Sequence, residues 1–166
     1  MAQPAIVVVF TSRCGATETI AHAAAVGTVN ARALPRLRWL AHDGLGIPTE
    51  CDATWRRMQK EYVAPTEPDI GSSQGLIVVP SAGMTSSSAE WQPFIAVLDR
   101  LAGAGQLAGK VGAVINTGDS QTAESFSSLL ATYGFALIAA DGRAARAHGR
   151  AVGTAIVEHA SLRTAK

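Results

Sequence analysis

At 166 residues the chain fits one domain, 1–166, long enough to bury a substantial core and too short for two. Apolar residues make up 48% and charged ones 16%, with 16 glycines and 7 prolines spread along the length, a composition that excludes disorder. A net charge of +1 leaves no general field to gather nucleic acid or an anionic membrane, so no nucleic-acid partner is expected.

The N-terminus, Met1-Ala2-Gln3-Pro4, carries no basic stretch, and the apolar run Ala5–Phe10 is too short for a signal-peptide core or a membrane span. The expectation is a cytoplasmic protein without a membrane span. Ile6–Phe10 is apolar at consecutive positions, as a strand buried on both faces would be, and Thr17–Val26 after it has helical periodicity. Ala31–Leu37 is a weaker strand, because Pro35 lacks a backbone donor and confines it to an edge. Ala41–Gln74 is turn-rich, with one short helix expected over Asp52–Tyr62 that lines up Trp55, Met58 and Tyr62. Leu76–Pro80 reads as a second inner strand, and Glu90–Ala102 as a helix carrying Trp91, Phe94 and Leu98 on one face, for the core or for a homo-oligomer interface. Strand Val111–Asn116, helix Gln121–Tyr133, strand Phe135–Ala140 and a last helix near His148–Ala160 complete the chain. Strand then helix, repeated, is the pattern of right-handed βαβ units, and no internal repeat or linker divides it. An edge strand second in sequence suits a sheet of order 2-1-3-4-5.

The loop after the first strand reads Thr11-Ser12-Arg13-Cys14-Gly15-Ala16-Thr17-Glu18. Free N–H groups at a helix start, the positive dipole end and the hydroxyls of Ser12 and Thr17 together suit an anion, with Gly15 allowing close backbone approach. The plainer alternative makes Thr17 an N-cap and Ser12 a turn residue. Its place behind the first buried strand, where ligands gather in such sheets, favours the anion. No Walker loop is present: Gly109-Lys110-Val111 precedes a strand, with Ala104 where the first glycine belongs. A phosphatase built on Cys14 needs an arginine six residues on, where Ile20 stands. Cys14 and Cys51 form no metal-ligand spacing; no metal is expected, and in a reducing compartment the two remain thiols without a structural disulfide. Gly103-Ala104-Gly105 comes before a strand, so no dinucleotide fingerprint exists and a monophosphate is the better ligand.

Further motifs follow in order: Asp69-Ile70 and then Gly75 to Ser81; Trp91-Gln92-Pro93-Phe94; Asn116-Thr117-Gly118-Asp119-Ser120; and Leu130 to Gly134. Together with Ser12–Glu18 they resemble the flavodoxin-like FMN proteins. The nearest group is the NAD(P)H:quinone oxidoreductases once called tryptophan-repressor-binding proteins, alongside the NADPH-dependent FMN reductases. The resemblance implies an α/β three-layer sandwich around a five-stranded parallel sheet. It implies FMN with its phosphate on Ser12, Arg13, Cys14, Gly15, Ala16 and Thr17, and its ring between Pro80, Ser81, Ala82, Gly83, Met84 and Asn116, Thr117, Gly118, Asp119, Ser120. NAD(P)H would be the donor and a quinone or similar small molecule the acceptor. A flavodoxin-type electron carrier and a fold relative that has lost FMN are the alternatives.

Departures from the family pattern are plain. The second loop, Ser81-Ala82-Gly83-Met84-Thr85, lacks the usual aromatic, which leaves Met84 to pack on the ring or to stand as an ordinary loop residue. Asp119 would accept from flavin N3–H or, near N1, lower the potential. Tyr133 stands where relatives have a histidine and would either meet the substrate or fill a helix end, and His148 reads as a surface residue. Cys14 is expected to be replaceable, its backbone and not its sulfur facing the phosphate.

Overall fold

The computed structural model describes residues 3–41 and 46–164. In chain order it forms β1 (Ala5–Phe10), α1 (Ala16–Asn30), β2 (Leu34–Trp39), a 3-10 turn (Thr49–Cys51) running into α2 (Asp52–Glu61), α3 (Glu67–Ser72) and β3 (Gly75–Val79). A 3-10 turn (Ala89–Trp91), α4 (Gln92–Gly103), β4 (Val111–Val114), α5 (Ser120–Thr132), β5 (Ala136–Leu137) and α6 (Ala145–Thr164) follow. The five strands pair in parallel in the order β2-β1-β3-β4-β5, as the βαβ pattern predicts.

All six residues of β1 are buried because alternate side chains enter different layers. Val7 and Val9 pack with Leu76 and Val78 against Trp91, Phe94, Leu98 and Phe126 of the α4 and α5 side. Ile6, Val8 and Phe10 pack with Ile77 and Val79 against Ala21 and Ala24 of α1, Met58 of α2, and Val152 and Ile156 of α6. Trp91, Phe94 and Leu98 therefore lie in the core. On the second layer α1 and α6 cross at backbone contact: a Cβ on Gly27 would collide with the Arg146 carbonyl, and one on Gly149 with that of Ala24. No helix among the described residues is long and apolar enough to cross a membrane.

Three details differ from the sequence reading. β2 spans Leu34–Trp39 rather than Ala31–Leu37, still at the edge that Pro35 requires. The turn-rich stretch, whose residues 42–45 lie outside the described residues, holds a second helix, α3, started by a capping box between Thr66 and Asp69. Asp69 also takes two hydrogen bonds from the Arg38 guanidinium, at 2.8 Å each, tying the edge strand to that helix.

The third difference is at the far edge, where β5 has two exposed residues and not the expected six. The ladder ends after Ile138 N–H donates to Gly112 O at 2.9 Å. The Ile138 carbonyl instead meets His148 Nε2 at 2.8 Å, turning the chain away from β4. His148 is thus buried, 1% exposed, and not the surface residue its sequence context suggests.

Candidate functional site: three loops at the carboxyl edge of the sheet

The loops after β1, β3 and β4 gather at one end of the sheet, where backbone and hydroxyl bonds join them. In the first loop Gly15 is the N-cap of α1 with φ 92°, a left-handed conformation that glycine adopts without strain. Having no side chain, it offers no cap, and none is supplied from elsewhere among the described residues. The first backbone bond of the helix is Thr19 N–H to Gly15 O at 3.1 Å, so the N–H groups of Ala16, Thr17 and Glu18 precede any internal acceptor. Thr17 is therefore a first-turn residue and not the N-cap that the plainer sequence alternative would make it.

Ser12 and Thr17 are both buried beneath this loop. Ser12 Oγ accepts the Gly15 N–H at 3.0 Å, which leaves its own proton uncommitted. Thr17 Oγ1 lies 3.2 Å from Ser81 Oγ of the second loop, and Ser81 Oγ lies 2.9 Å from the Thr11 carbonyl. Ser81 has a single proton for those two acceptors. When it goes to Thr17, the Thr17 proton becomes available to an anion.

Glu18, in the first turn of α1 and 7% exposed, puts a carboxylate near this anion-suited end. The Arg57 guanidinium holds it through both oxygens, at 2.9 and 2.7 Å, and Tyr62 donates its phenol at 2.7 Å. Hydrogen bonding to Arg57 outweighs burial and keeps the Glu18 carboxyl below its ordinary pKa of 4.5. The charge is thus matched locally, and the same pair anchors α2 beside the loop.

A disulfide between Cys14 and Cys51 anchors it a second time. The expected free thiols do not survive this observation: the Cys14 side chain is half of the covalent tie between the loop and the start of α2. The two cysteines are 37 residues apart, and the fold brings their Cα atoms to 4.9 Å. Arg13 reaches across the loop mouth to Glu90 at 3.4 Å, while Ala16 stands exposed beside it.

The second and third loops are joined by Asp119, the N-cap of α5. One carboxylate oxygen accepts from Gln121 and Thr122 N–H groups, the other from the Thr122 hydroxyl at 2.8 Å and Gly83 N–H at 2.9 Å. These bonds, the Thr122 hydroxyl first, hold its carboxyl below the ordinary value of 3.8. With four donors already on it, Asp119 is a brace between the loops. Thr117 Oγ1 adds a second tie, donating to the Pro80 carbonyl at 2.7 Å, and Asn116 Oδ1 accepts Gly118 N–H at 2.8 Å. Ala82, Gly83, Gly118 and Ser120 are exposed around this junction. The Met84 sulfur lies 3.3 Å from Trp91 Nε1 and 3.2 Å from Thr11 Oγ1, so it is a held residue and not a loose one.

Of the expected site residues, the structure collects all those of the three loops and leaves Tyr133 apart. Tyr133 closes α5 next to Gly134, whose carbonyl accepts Gly109 N–H ahead of β4, at the opposite edge of the sheet. Its hydroxyl donates to Asp99 at 2.6 Å. Arg57, Tyr62 and Cys51 were not among the expected site residues, although the Glu closing the first motif and the presence of two cysteines were signals for them. A groove of about 550 Å3 opens beside the third loop, where β5 stops short, lined by Val114, Asn116, Ser120, Glu124 and Ile138 among others.

No protein-family model matches the chain and no curated protein sequence resembles it. Solved structures do. A WrbA-like flavodoxin from Agrobacterium tumefaciens superposes with a TM-score of 0.61 at 17% identity, covering 95% of this chain and 99% of that one. A diflavin flavoprotein from Nostoc gives 0.59 at 16% identity over 98% and 99%. Reduced flavodoxin from Megasphaera elsdenii gives 0.58 at 15% identity over 89% and 98%. Strand order, layer arrangement and full-length superposition agree: the chain has the flavodoxin-like fold.

Proposed function

We propose that the protein holds FMN by its phosphate at the first loop and works as an NAD(P)H-dependent oxidoreductase with a quinone or similar small molecule as acceptor. The observation that carries the cofactor reading is the uncapped start of α1. A 15-residue helix opens on a glycine without any side-chain cap, over the uncommitted proton of Ser12. N–H groups, dipole and hydroxyl all favour a dianion there, and a terminal phosphate fits. The structural relatives carry flavodoxin and flavoprotein names, which supports the same reading.

When bound, FMN supplies hydride acceptance and electron release; the chain supplies position. Ser12 and the first-turn N–H groups of α1 bind the phosphate, while Ser81 moves its proton between the Thr11 carbonyl and Thr17 Oγ1 to release the Thr17 hydroxyl toward it. Asp119 and Thr117 fix the second loop against the third, so the ring-facing backbone is set before ligand arrives. Met84, held by Trp91, offers a polarisable apolar contact in place of an aromatic ring.

The groove beside the third loop favours an enzyme over a carrier, because its size suits a small molecule. The net charge of +1 points the same way, since carriers that dock on basic partners need an acidic surface. Chromatography of heat-released flavin tests the cofactor, with FMN expected and FAD or no flavin overturning the reading. Anaerobic NADH or NADPH should bleach the flavin colour, and a quinone should restore it. Bleaching only by a reductase partner would make the protein a carrier.

A further inference from the structure

The Cys14–Cys51 disulfide lies on the crest of the candidate phosphate loop, and the proposed function makes no use of it. Cys14 is exposed and immediately precedes the uncapped N-cap of α1; Cys51 is buried, 8% exposed, and ends the 3-10 turn that enters α2, again without a side-chain cap. Both sulfurs therefore sit at the starts of helices, where a thiolate is favoured by the dipole and by free N–H groups. A disulfide whose two leaving thiolates are both stabilised is more readily reduced than one in neutral surroundings.

The inner and outer parts of the loop are held differently. Ser12 and Thr17 are fixed by buried bonds, including Trp39 Nε1 to the Ser12 carbonyl at 3.2 Å. Among the described residues, the side chains of Arg13 and Cys14 at the crest are held by the Arg13–Glu90 pair, with Arg13 48% exposed, and by the disulfide. Reduction would thus free the crest while leaving its base in place. It would also leave a Cys14 thiolate competing with an external anion for the same N–H groups.

We propose that Cys14–Cys51 is a reversible redox couple open to small thiol and dithiol reductants, whose disulfide form holds the loop for a phosphate and whose dithiol form binds phosphate more weakly. The chemistry balances as exchange. A thiolate of an external dithiol attacks the exposed Cys14 Sγ, the S–S bond breaks and Cys51 leaves as thiolate. The second thiol of the reductant then attacks the mixed disulfide, closing the reductant's own disulfide and releasing Cys14 as thiolate. Two electrons pass from reductant to protein, and solvent supplies the protons each thiolate takes up.

The phosphate half of this inference rests on the anion reading of the first loop, whereas the redox half does not. The full chain is equilibrated in glutathione buffers of graded oxidation, alkylated and weighed, first without ligand. Two added alkyl groups should appear within the range of those buffers. A disulfide that resists millimolar dithiothreitol in the folded protein, or cysteines that alkylate after full oxidation, would overturn the proposal. Inorganic phosphate and FMN are then titrated into both forms. A competing charge at a helix start is worth about a two- to five-fold change, so the reduced form should bind each more weakly by about that factor. By reciprocity, either ligand should shift the couple toward disulfide by the same factor. Cys51→Ser should bind like reduced wild type whatever the buffer, with circular dichroism showing that it is folded. Equal affinity in both forms overturns the coupling. Absence of phosphate and FMN binding in both forms, with an active couple, overturns the anion reading instead.

Discussion

Two helices start at the same edge of the same sheet, and they end their chains of N–H groups in opposite ways. α5 begins on Asp119, whose carboxylate accepts from two of its own first-turn N–H groups and from the neighbouring loop. α1 begins on Gly15, with no side chain to offer and none borrowed. A helix end that satisfies itself is a structural joint, and one that does not needs an outside acceptor, either water or a ligand. The contrast supports the proposed binding role of the first loop, while the third holds the second loop in place.

Removing the groups around the open end should have the largest effect. Ser12→Ala deletes an uncommitted proton next to it, and Thr17→Val deletes the hydroxyl that Ser81 can release. Each loss of a hydrogen bond to a charged phosphate is worth about 1.5–3 kcal/mol, roughly 10- to 150-fold in FMN affinity by fluorescence titration. Unchanged affinity in both variants would move the phosphate elsewhere and cancel the contrast.

Acid should loosen the scaffold behind both joints. Asp69 is held at about 2, chiefly by its bonds to Arg38, against 3.8 in a free chain. Its folded pKa is lowered, so its contribution is full above the unfolded value and is lost as pH falls from there toward about 2, worth about 2 kcal/mol in all. Glu18 and Asp119 are shifted in the same direction and add to that loss. Denaturant midpoints should therefore fall over that window in wild type and less steeply in Asp69→Asn, which starts from a lower midpoint. Parallel pH profiles would remove Asp69 from the account.

Closing the comparison from the other side gives a smaller effect. Asp119→Ala uncaps α5 and releases Gly83 N–H, and should lower Tm by about 2–4 °C. Phosphate affinity, measured with inorganic phosphate to leave the ring contacts out, should stay within about two-fold because no Asp119 bond reaches the first loop. A loss as large as that of Ser12→Ala would show that the two joints work as one.

Much of this was readable in the sequence, for definite reasons. β1 and β3 are consecutive apolar runs, which only a doubly covered strand accepts, and Pro35 forces its strand to an edge. Gly15 ahead of a helical pattern marked the anion loop. The Asp119–Thr122 spacing carried a capping signal, but a family resemblance drew attention to the flavin in its place. β5 was readable as a strand but not in its length, which ends where His148 takes the Ile138 carbonyl, a contact no local pattern encodes. The disulfide was hidden for a related reason: its halves are 37 residues apart with α1 and β2 between them, and only the fold brings them together.

The smallest expected effect is at Tyr133, and it tests where the chemistry is. The residue lies at the amino edge of the sheet, beside the turn that leads into β4, with its hydroxyl given to Asp99 at 2.6 Å. α5 spans 13 residues at about 1.5 Å each, so Tyr133 is roughly 20 Å from the third loop at the helix start. No direct contact with an acceptor at the loops can cover that distance. Tyr133→Phe keeps the ring that packs on the core and removes one partly exposed hydrogen bond, for about 1 kcal/mol or less of stability. Steady-state kinetics with NADH or NADPH and a quinone should show kcat and KM within about two-fold of wild type, and flavin content should be unchanged. A drop of ten-fold or more in kcat/KM with flavin retained would place the acceptor at the opposite edge, and the contrast between the two helix starts would then describe cofactor binding alone.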